Sequence, residues 1–121
     1  MSNNAEQKAR VADAVAIEAI TGMLVAMALD TPGVARLAER VDNRLDAKSG
    51  KAKNAKQYKS VRVVIKNDIL SINMRIIASF GKPIPEIARR LQNEAKDRVR
   101  EEFPHLTLAA VNVWIDGVSF E

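Results

Sequence analysis

Apolar residues along this chain recur with two different periods, and the change of period marks the elements. Over residues 5–30 the apolar positions lie three or four apart, which predicts one long helix. Thr31-Pro32-Gly33 predicts where this helix ends, because proline and glycine are common just beyond a helix. The C-terminal half of the helix is apolar almost all round, so we expect burial on two sides, by the domain's own sheet and by a second subunit.

Two stretches alternate apolar and polar residues with the period of a β-strand. They are residues 60–66 and residues 69–80, and Asn67-Asp68 between them is a typical turn pair. This pattern predicts a β-hairpin. Residues 34–41 fit either a short strand or a helical turn, and the strand is favoured.

A second helix and a last strand complete the order of elements. Residues 84–103 carry one apolar stripe, with Pro85 suited to the first turn and Pro104 at the end. Residues 106–115 alternate again and predict a strand, followed by a turn at Gly117. The predicted class is α+β: a small, mainly antiparallel sheet of three or four strands packed with two helices, in the order α-(β)-β-β-α-β, within a single domain over residues 1–121.

Alternation also sorts the strand residues onto two faces of the sheet. Four apolar residues fall opposite the inward set: Val64, Ile69, Ile77 and Trp114. If both helices cover one face, these residues form an exposed patch and a candidate interface. If one helix covers each face, they are ordinary core. The interface is favoured, because tryptophan is enriched at binding hot spots and this is the chain's only one.

The chain's chemistry is restricted by the absence of cysteine and the presence of one histidine, His105. Disulfides, thiolate metal sites and cysteine nucleophiles are excluded. A lone histidine without a neighbouring acid pair does not assemble a zinc site, and no Gly-x-Ser-x-Gly motif offers a serine nucleophile. We therefore predict no catalytic residue, metal or cofactor, interpret His105 as a turn residue, and expect that the chain is not an enzyme.

Positive charge is concentrated in the middle of a chain whose net charge is +4. Residues 36–66 contain ten basic residues against three acids. Within them, residues 42–59 predict a mobile loop whose lysines are candidate contacts for an anionic membrane surface or nucleic acid: Lys48, Lys51, Lys53, Lys56 and Lys59. Base-stacking platforms normally supply more aromatics than Tyr58 alone, so reading of a specific RNA is not favoured. A solubilising loop is an equal alternative.

No stretch is expected to cross a membrane. The most hydrophobic one, residues 19–29, is about half as long as the roughly 20 apolar residues that a spanning helix needs. The polar N-terminal sequence MSNNAEQKAR also differs from a secretory signal. A soluble protein is therefore predicted.

Several short motifs occur in a recognisable order between Pro32 and Phe120. They are Pro32-Gly33-Val34, the strand pair VRVVIKNDILSINMRII, Phe80-Gly81, Ile84-Pro85-Glu86-Ile87-Ala88 and the closing run VNVWIDGV. This ordered set resembles the alkaline shock protein family of Gram-positive bacteria, the cell-envelope stress response proteins. The segment Phe103-Pro104-His105-Leu106 departs from the family's usual turn, and the lysine-rich loop is individual to this chain.

The resemblance implies a cytoplasmic protein without an active site. Some members of the family are held at the membrane by a separate membrane-spanning partner, and the family is linked to envelope homeostasis through protein contacts. Together with the apolar surfaces, this gives the expected function: a non-enzymatic interaction or scaffold protein of the envelope stress response that self-associates. The alternative is a nucleic-acid-binding module that uses the lysine-rich loop.

Overall fold

A computed structural model describes residues 3–38 and 60–120 of the chain, and its elements follow the predicted order. They are α1 Asn3–Leu29, β1 Val34–Leu37, β2 Val61–Lys66, β3 Ile69–Ser79, α2 Ile84–Glu102 and β4 Thr107–Ser119. The α+β class and the order of elements are therefore confirmed. The segment 34–41, for which strand was favoured over helix, begins with the four-residue strand β1.

β3 is the central strand of the sheet. β4 pairs with one side of it along its whole length, in parallel. On the other side β2 pairs antiparallel with the first half of β3, and β1 pairs antiparallel with its last residues. Two of the three pairings are thus antiparallel, and β3 holds the other three strands together.

The hairpin between β2 and β3 is closed by the two-residue turn that the sequence predicts. Lys66 pairs with Ile69, and both Asn67 and Asp68 between them have positive φ, 53° and 63°. Asparagine and aspartate tolerate this left-handed conformation better than other non-glycine residues, and such two-residue turns match the twist of antiparallel strands. The turn fixes the register, and the register fixes which side chains share a face.

The parallel pair of β3 and β4 needs a crossover, and α2 provides it. α2 follows Gly81, whose φ of 84° turns the chain, and has a proline in its first turn. One stripe of the helix is buried: Ile87, Leu91, Ala95 and Val99. α2 therefore lies over the sheet, on the side of β4.

Both helices pack on the same face of the sheet. The core joins the buried stripe of α2 to Ile20, Leu24 and Met27 of α1, and to the inward residues of β3, which are Leu70, Ile72, Met74, Ile76 and Ala78. α1 covers the β1 and β2 side of this face. Within the part of the chain that the structure describes, no helix covers the opposite face.

Gly33 allows the turn between α1 and β1 to lie against α2. Its φ is 95°, and a Cβ atom here would stand 2.6 Å from Cδ1 of Ile87. Any other residue would be strained in its backbone and would also displace a core side chain. The sequence signal Thr31-Pro32-Gly33 therefore marks a packing contact as well as a helix end.

Two details of the strand predictions are wrong. β4 does not turn at Gly117 but continues to Ser119, because a register shift between Ile115 and Gly117 absorbs one extra residue. Phe80 follows the inward alternation of β3, yet it lies one residue beyond the end of the strand and is 65% exposed. It stacks instead on Phe120, with ring centroids 4.7 Å apart.

α1 contains a longer apolar stretch than the residues 19–29 identified from the sequence, a property that core helices and signal sequences share. Val11–Leu29 is 19 residues long with a mean hydropathy of 1.8, which by length and composition is enough to cross a bilayer. Only 22% of this stretch is buried. The buried part, which includes Ile20 and Leu24, belongs to the core, whereas Val11 and Val15 lie exposed on the other side of the helix. Nothing within residues 3–38 and 60–120 provides the second burial that the sequence predicts.

Candidate interaction surface

The face of the sheet opposite the helices carries the four residues proposed from alternation. We call this surface the bare face, and its members are the outward residues of β2, β3 and the first part of β4. Val64 is 43% exposed, Ile69 48% and Trp114 50%. Ile77 is half-buried and lies beside Gly117, where a Cβ atom would be 3.4 Å from Cδ1 of Ile77. The four residues are therefore spread over three neighbouring strands.

Trp114 is held by a charged neighbour in the middle of the bare face. Trp114 pairs with Arg75 of β3, and the guanidinium carbon lies 5.2 Å from the centre of the indole ring. At this distance a cation is attracted to the ring face. Nη1 of Arg75 also donates to Oδ1 of Asp116 at 3.1 Å. The tryptophan is thus oriented before any partner arrives.

A polar row crosses the bare face one register step away. Arg62 of β2 pairs with Asn73 of β3, and Asn73 pairs with Asn112 of β4. Nδ2 of Asn112 donates to Oδ1 of Asn73 at 3.1 Å. Cross-strand polar pairs of this kind stabilise a sheet while leaving its surface flat. One donor of Asn112 and the side-chain oxygen of Asn73 are thus already bonded if the surface becomes buried.

The lysine-rich loop lies outside the described residues. Lys48, Lys51, Lys53, Lys56 and Lys59 lie outside the described residues, as does the whole predicted loop, so its role as an anion-binding segment stays a prediction. Two basic residues near it in sequence, Arg62 and Lys66, are described and are exposed on β2. They make the β2 edge of the sheet positively charged.

Side chains suited to binding a metal ion are not gathered in the described parts of the chain. Within residues 3–38 and 60–120, no three His, Asp or Glu side chains lie close enough to hold a metal ion. His105 is exposed just before β4 and its ring centroid lies 6.5 Å from that of Phe103. A cleft of about 490 Å³ beside Gly33 is lined by charges of both signs, with Lys82, Arg89 and Glu86 among them.

A family comparison decides what kind of protein carries this surface. The sequence profile of the alkaline shock protein 23 family, described as having a cell envelope-related function, matches residues 1–120. The chain belongs to this family. The resemblance drawn from the motifs between Pro32 and Phe120 is therefore confirmed and extends over α1 as well.

Beyond the family, a solved structure is similar at low sequence identity. No curated protein matches the sequence of this alkaline shock family member at a significant level. A solved structure of the MamM CTD, a variant in its manganese form, is similar at 14% sequence identity and a TM-score of 0.47, covering 83% of this chain and 96% of that one.

Two exposed apolar regions of this alkaline shock family member lie outside the bare face. The sequence analysis expected a second subunit to bury the first, and it missed the second. The first is the outer side of α1, where Val11, Val15 and Leu29 are all more than half exposed. The second is the Phe80–Phe120 pair at the end of the sheet. A helix that is apolar all round signalled the first region. The second had no such signal, because the alternation continues through Phe80 although the strand ends at Ser79.

Proposed function

We propose that this alkaline shock family member is a non-enzymatic interaction protein that serves the cell envelope by binding protein partners, a second copy of itself among them, through the bare face. One observation carries the proposal. Both helices pack on one side of the sheet, and the other side presents Trp114, Ile69 and Val64 to solvent. A family function related to the envelope supports the setting in which these contacts are made.

The composition of the bare face suits burial against another protein. Three of its large apolar side chains, Val64, Ile69 and Trp114, are 43–50% exposed, so covering them removes apolar area from water. Two pairs of its polar side chains are bonded beforehand, Arg75 with Asp116 and Asn73 with Asn112. These bonds satisfy only one donor in each pair, so a partner has to supply acceptors for the remaining N–H groups of Arg75 and the two amides, because each donor left unsatisfied costs about 1–3 kcal/mol. Trp114 is the natural anchor at the centre.

The proposed location is the cytoplasm, with recruitment to the membrane through a membrane-held protein. In this arrangement the chain contributes the contact surface and its partner contributes the anchor. α1 suggests a different route, direct contact with lipid, because Val11 and Val15 are exposed on it and Val11–Leu29 passes a test of length and composition for a membrane span. The two routes predict different behaviour with protein-free lipid and can be separated.

Self-association is tested by sedimentation velocity over a range of micromolar concentrations. We expect a concentration-dependent dimer or larger species, and we expect Trp114→Ala to weaken it at least tenfold. Phe120→Ala is the matched control, because Phe120 is also an exposed aromatic residue but lies at the sheet end. A strict monomer, or equal losses in the two variants, would contradict self-association through the bare face.

Recruitment is tested by flotation with membranes of the source cell. We expect the protein to float with native membranes, to lose this binding after the membranes are treated with protease, and not to float with protein-free vesicles of the same lipids. Trp114→Ala should reduce binding to native membranes. Equal binding to the protein-free vesicles would replace the partner protein with lipid as the target.

A further inference from the structure

The two edges of the sheet differ in how open they are to another strand. One edge consists of β1 and β2, which carry the exposed basic residues Arg36, Arg62 and Lys66. The other edge is β4, 13 residues long and without lysine, arginine, glutamate or proline. Its one charged residue, Asp116, is paired with Arg75 of its own sheet. Proteins protect sheet edges with charges, short strands and β-bulges. β4 lacks the first two, and its register shifts after Leu108 and Ile115 leave the stretch Ala110–Ile115 as the least protected part of either edge.

One contact indicates which backbone groups of β4 face outward. Nε2 of Gln92 on α2 donates to the main-chain oxygen of Val111 at 3.2 Å. In a β-ladder, successive residues direct their backbone groups to opposite edges of the strand. Val111 and Val113 therefore present theirs to the free edge, and Asn112 directs its own towards β3. A carbonyl oxygen has two lone pairs, so Val111 can accept a second bond and keep Gln92.

We propose that a second copy of this chain adds its β4 antiparallel to this edge, with Asn112 of the two copies opposite each other on a two-fold axis. The inference rests on the self-association proposed above and names where it occurs. A two-fold axis makes the contact closed and self-complementary. When the two-fold axis passes between a residue and its own equivalent, the helices of both copies lie on the same face of the combined sheet. A register shifted by one residue would place them on opposite faces.

The choice of Asn112 follows from the regular part of β4 and from side-chain size. Register shifts interrupt the ladder after Leu108 and after Ile115, which leaves Ala110–Ile115 as an even stretch. An axis at Asn112 pairs Ala110 with Trp114 of the second copy, so the exposed indole lies over the smallest side chain of the stretch. On the other face Val111 meets Val113.

The same register continues the polar row across the axis. Asn112 already donates to Asn73 within one copy. Opposite its own equivalent it can extend this row into four amides, with the carbonyl oxygen of one copy accepting from the other. The combined sheet is then six strand-rows wide, and the two bare faces become one continuous surface for further partners.

The experiment uses the full chain, which has no cysteine of its own. Antiparallel neighbours that are not hydrogen-bonded to each other lie about 4.5 Å apart at Cα, within the range of a disulfide. We expect Asn112→Cys to form a covalent dimer upon mild oxidation. Arg62→Cys is the matched control, because Arg62 lies in the same row on the opposite edge and is also exposed. It should remain monomeric on the same gel.

A second variant tests the contact without a crosslink. Ala110→Arg places a long charged side chain where Trp114 of the second copy would lie, and we expect the dimer dissociation constant to rise at least tenfold. Ala35→Arg makes the same change at an exposed alanine of β1, on the other edge, and should leave the dimer unchanged. Circular dichroism of both variants confirms that the fold is kept.

The outcomes separate this inference from the proposed function. A dimer in sedimentation whose Asn112→Cys form crosslinks no faster than Arg62→Cys overturns the edge contact and leaves self-association standing. A monomer at every concentration overturns both the edge contact and self-association. The flotation experiment with native membranes then still tests binding to a membrane-held partner. Rapid crosslinking at Asn112→Cys together with a weakened Ala110→Arg dimer supports the edge contact.

Discussion

The two faces of the sheet differ in the burial and bonding of their side chains, although the same strands supply both. On the helix-covered face the inward residues of β3 are completely buried among α1 and α2. On the bare face the neighbouring residues of the same strands are half exposed and bonded in pairs across the strands. The covered face therefore carries the stability of the fold. The bare face is free to differ and is where binding can be changed at little cost to folding.

The largest expected effect comes from the same substitution made on the two faces of β3. Ile72 is fully buried and Ile69 is 48% exposed. We expect Ile72→Ala to lower the free energy of unfolding by about 2–5 kcal/mol, because it leaves a cavity in the core. Ile69→Ala should change it by about 0.5 kcal/mol or less. Urea unfolding followed by circular dichroism measures both, and equal losses would mean that the bare face is part of the core.

A smaller contrast is expected between two glycines. Gly33→Ala combines a positive φ with a contact against Ile87, so we expect a loss of about 1–3 kcal/mol. Gly22 lies in α1, and a Cβ atom there meets nothing within 4 Å. Gly22→Ala should therefore stabilise the chain by about 0.5–1 kcal/mol through helix propensity. Thermal melts of both variants measure this, and a loss at Gly22 would reveal that something packs closely against this side of α1.

The smallest effect concerns the ion pair on the bare face. Arg75 and Asp116 are 3.1 Å apart, and their side chains retain 30% and 27% of their exposure. A double-mutant cycle with Arg75→Ala and Asp116→Ala should give a coupling free energy of about 0.2–1 kcal/mol that falls as salt is added. Coupling of several kcal/mol would show that this pair supports the fold as a core contact does.

The periodicities predicted most of the fold, because each element carries a strong local signal. The hairpin at Asn67-Asp68 and the apolar stripe of α2 are local patterns that the structure keeps. The end of β4 was missed because a bulge and a turn at Gly117 give the same sequence signal, and pairing with β3 decides between them. The sequence also gave no sign that β4 runs parallel to β3, since direction depends on how α2 crosses the sheet.

The candidate surface was predicted only in outline. Alternation sorted Val64, Ile69 and Trp114 onto one face, but which face the helices cover is a tertiary property and had to come from the structure. The bonds of Arg75 to Asp116 and of Asn73 to Asn112 depend on the register of β4. That register joins residues about 40 positions apart, and nothing in either segment alone encodes it.

The central position of β3 has a consequence for the order in which the chain can acquire its shape. Each of the other three strands hydrogen-bonds to β3, and β1 must wait for residues 76–78 before it has anything to pair with. During synthesis α1 therefore leaves the ribosome well before the strands of its sheet, so its apolar core-facing side is still exposed to solvent. Until Ser79 has emerged, the nascent chain exposes a long apolar helix that can bind other apolar surfaces.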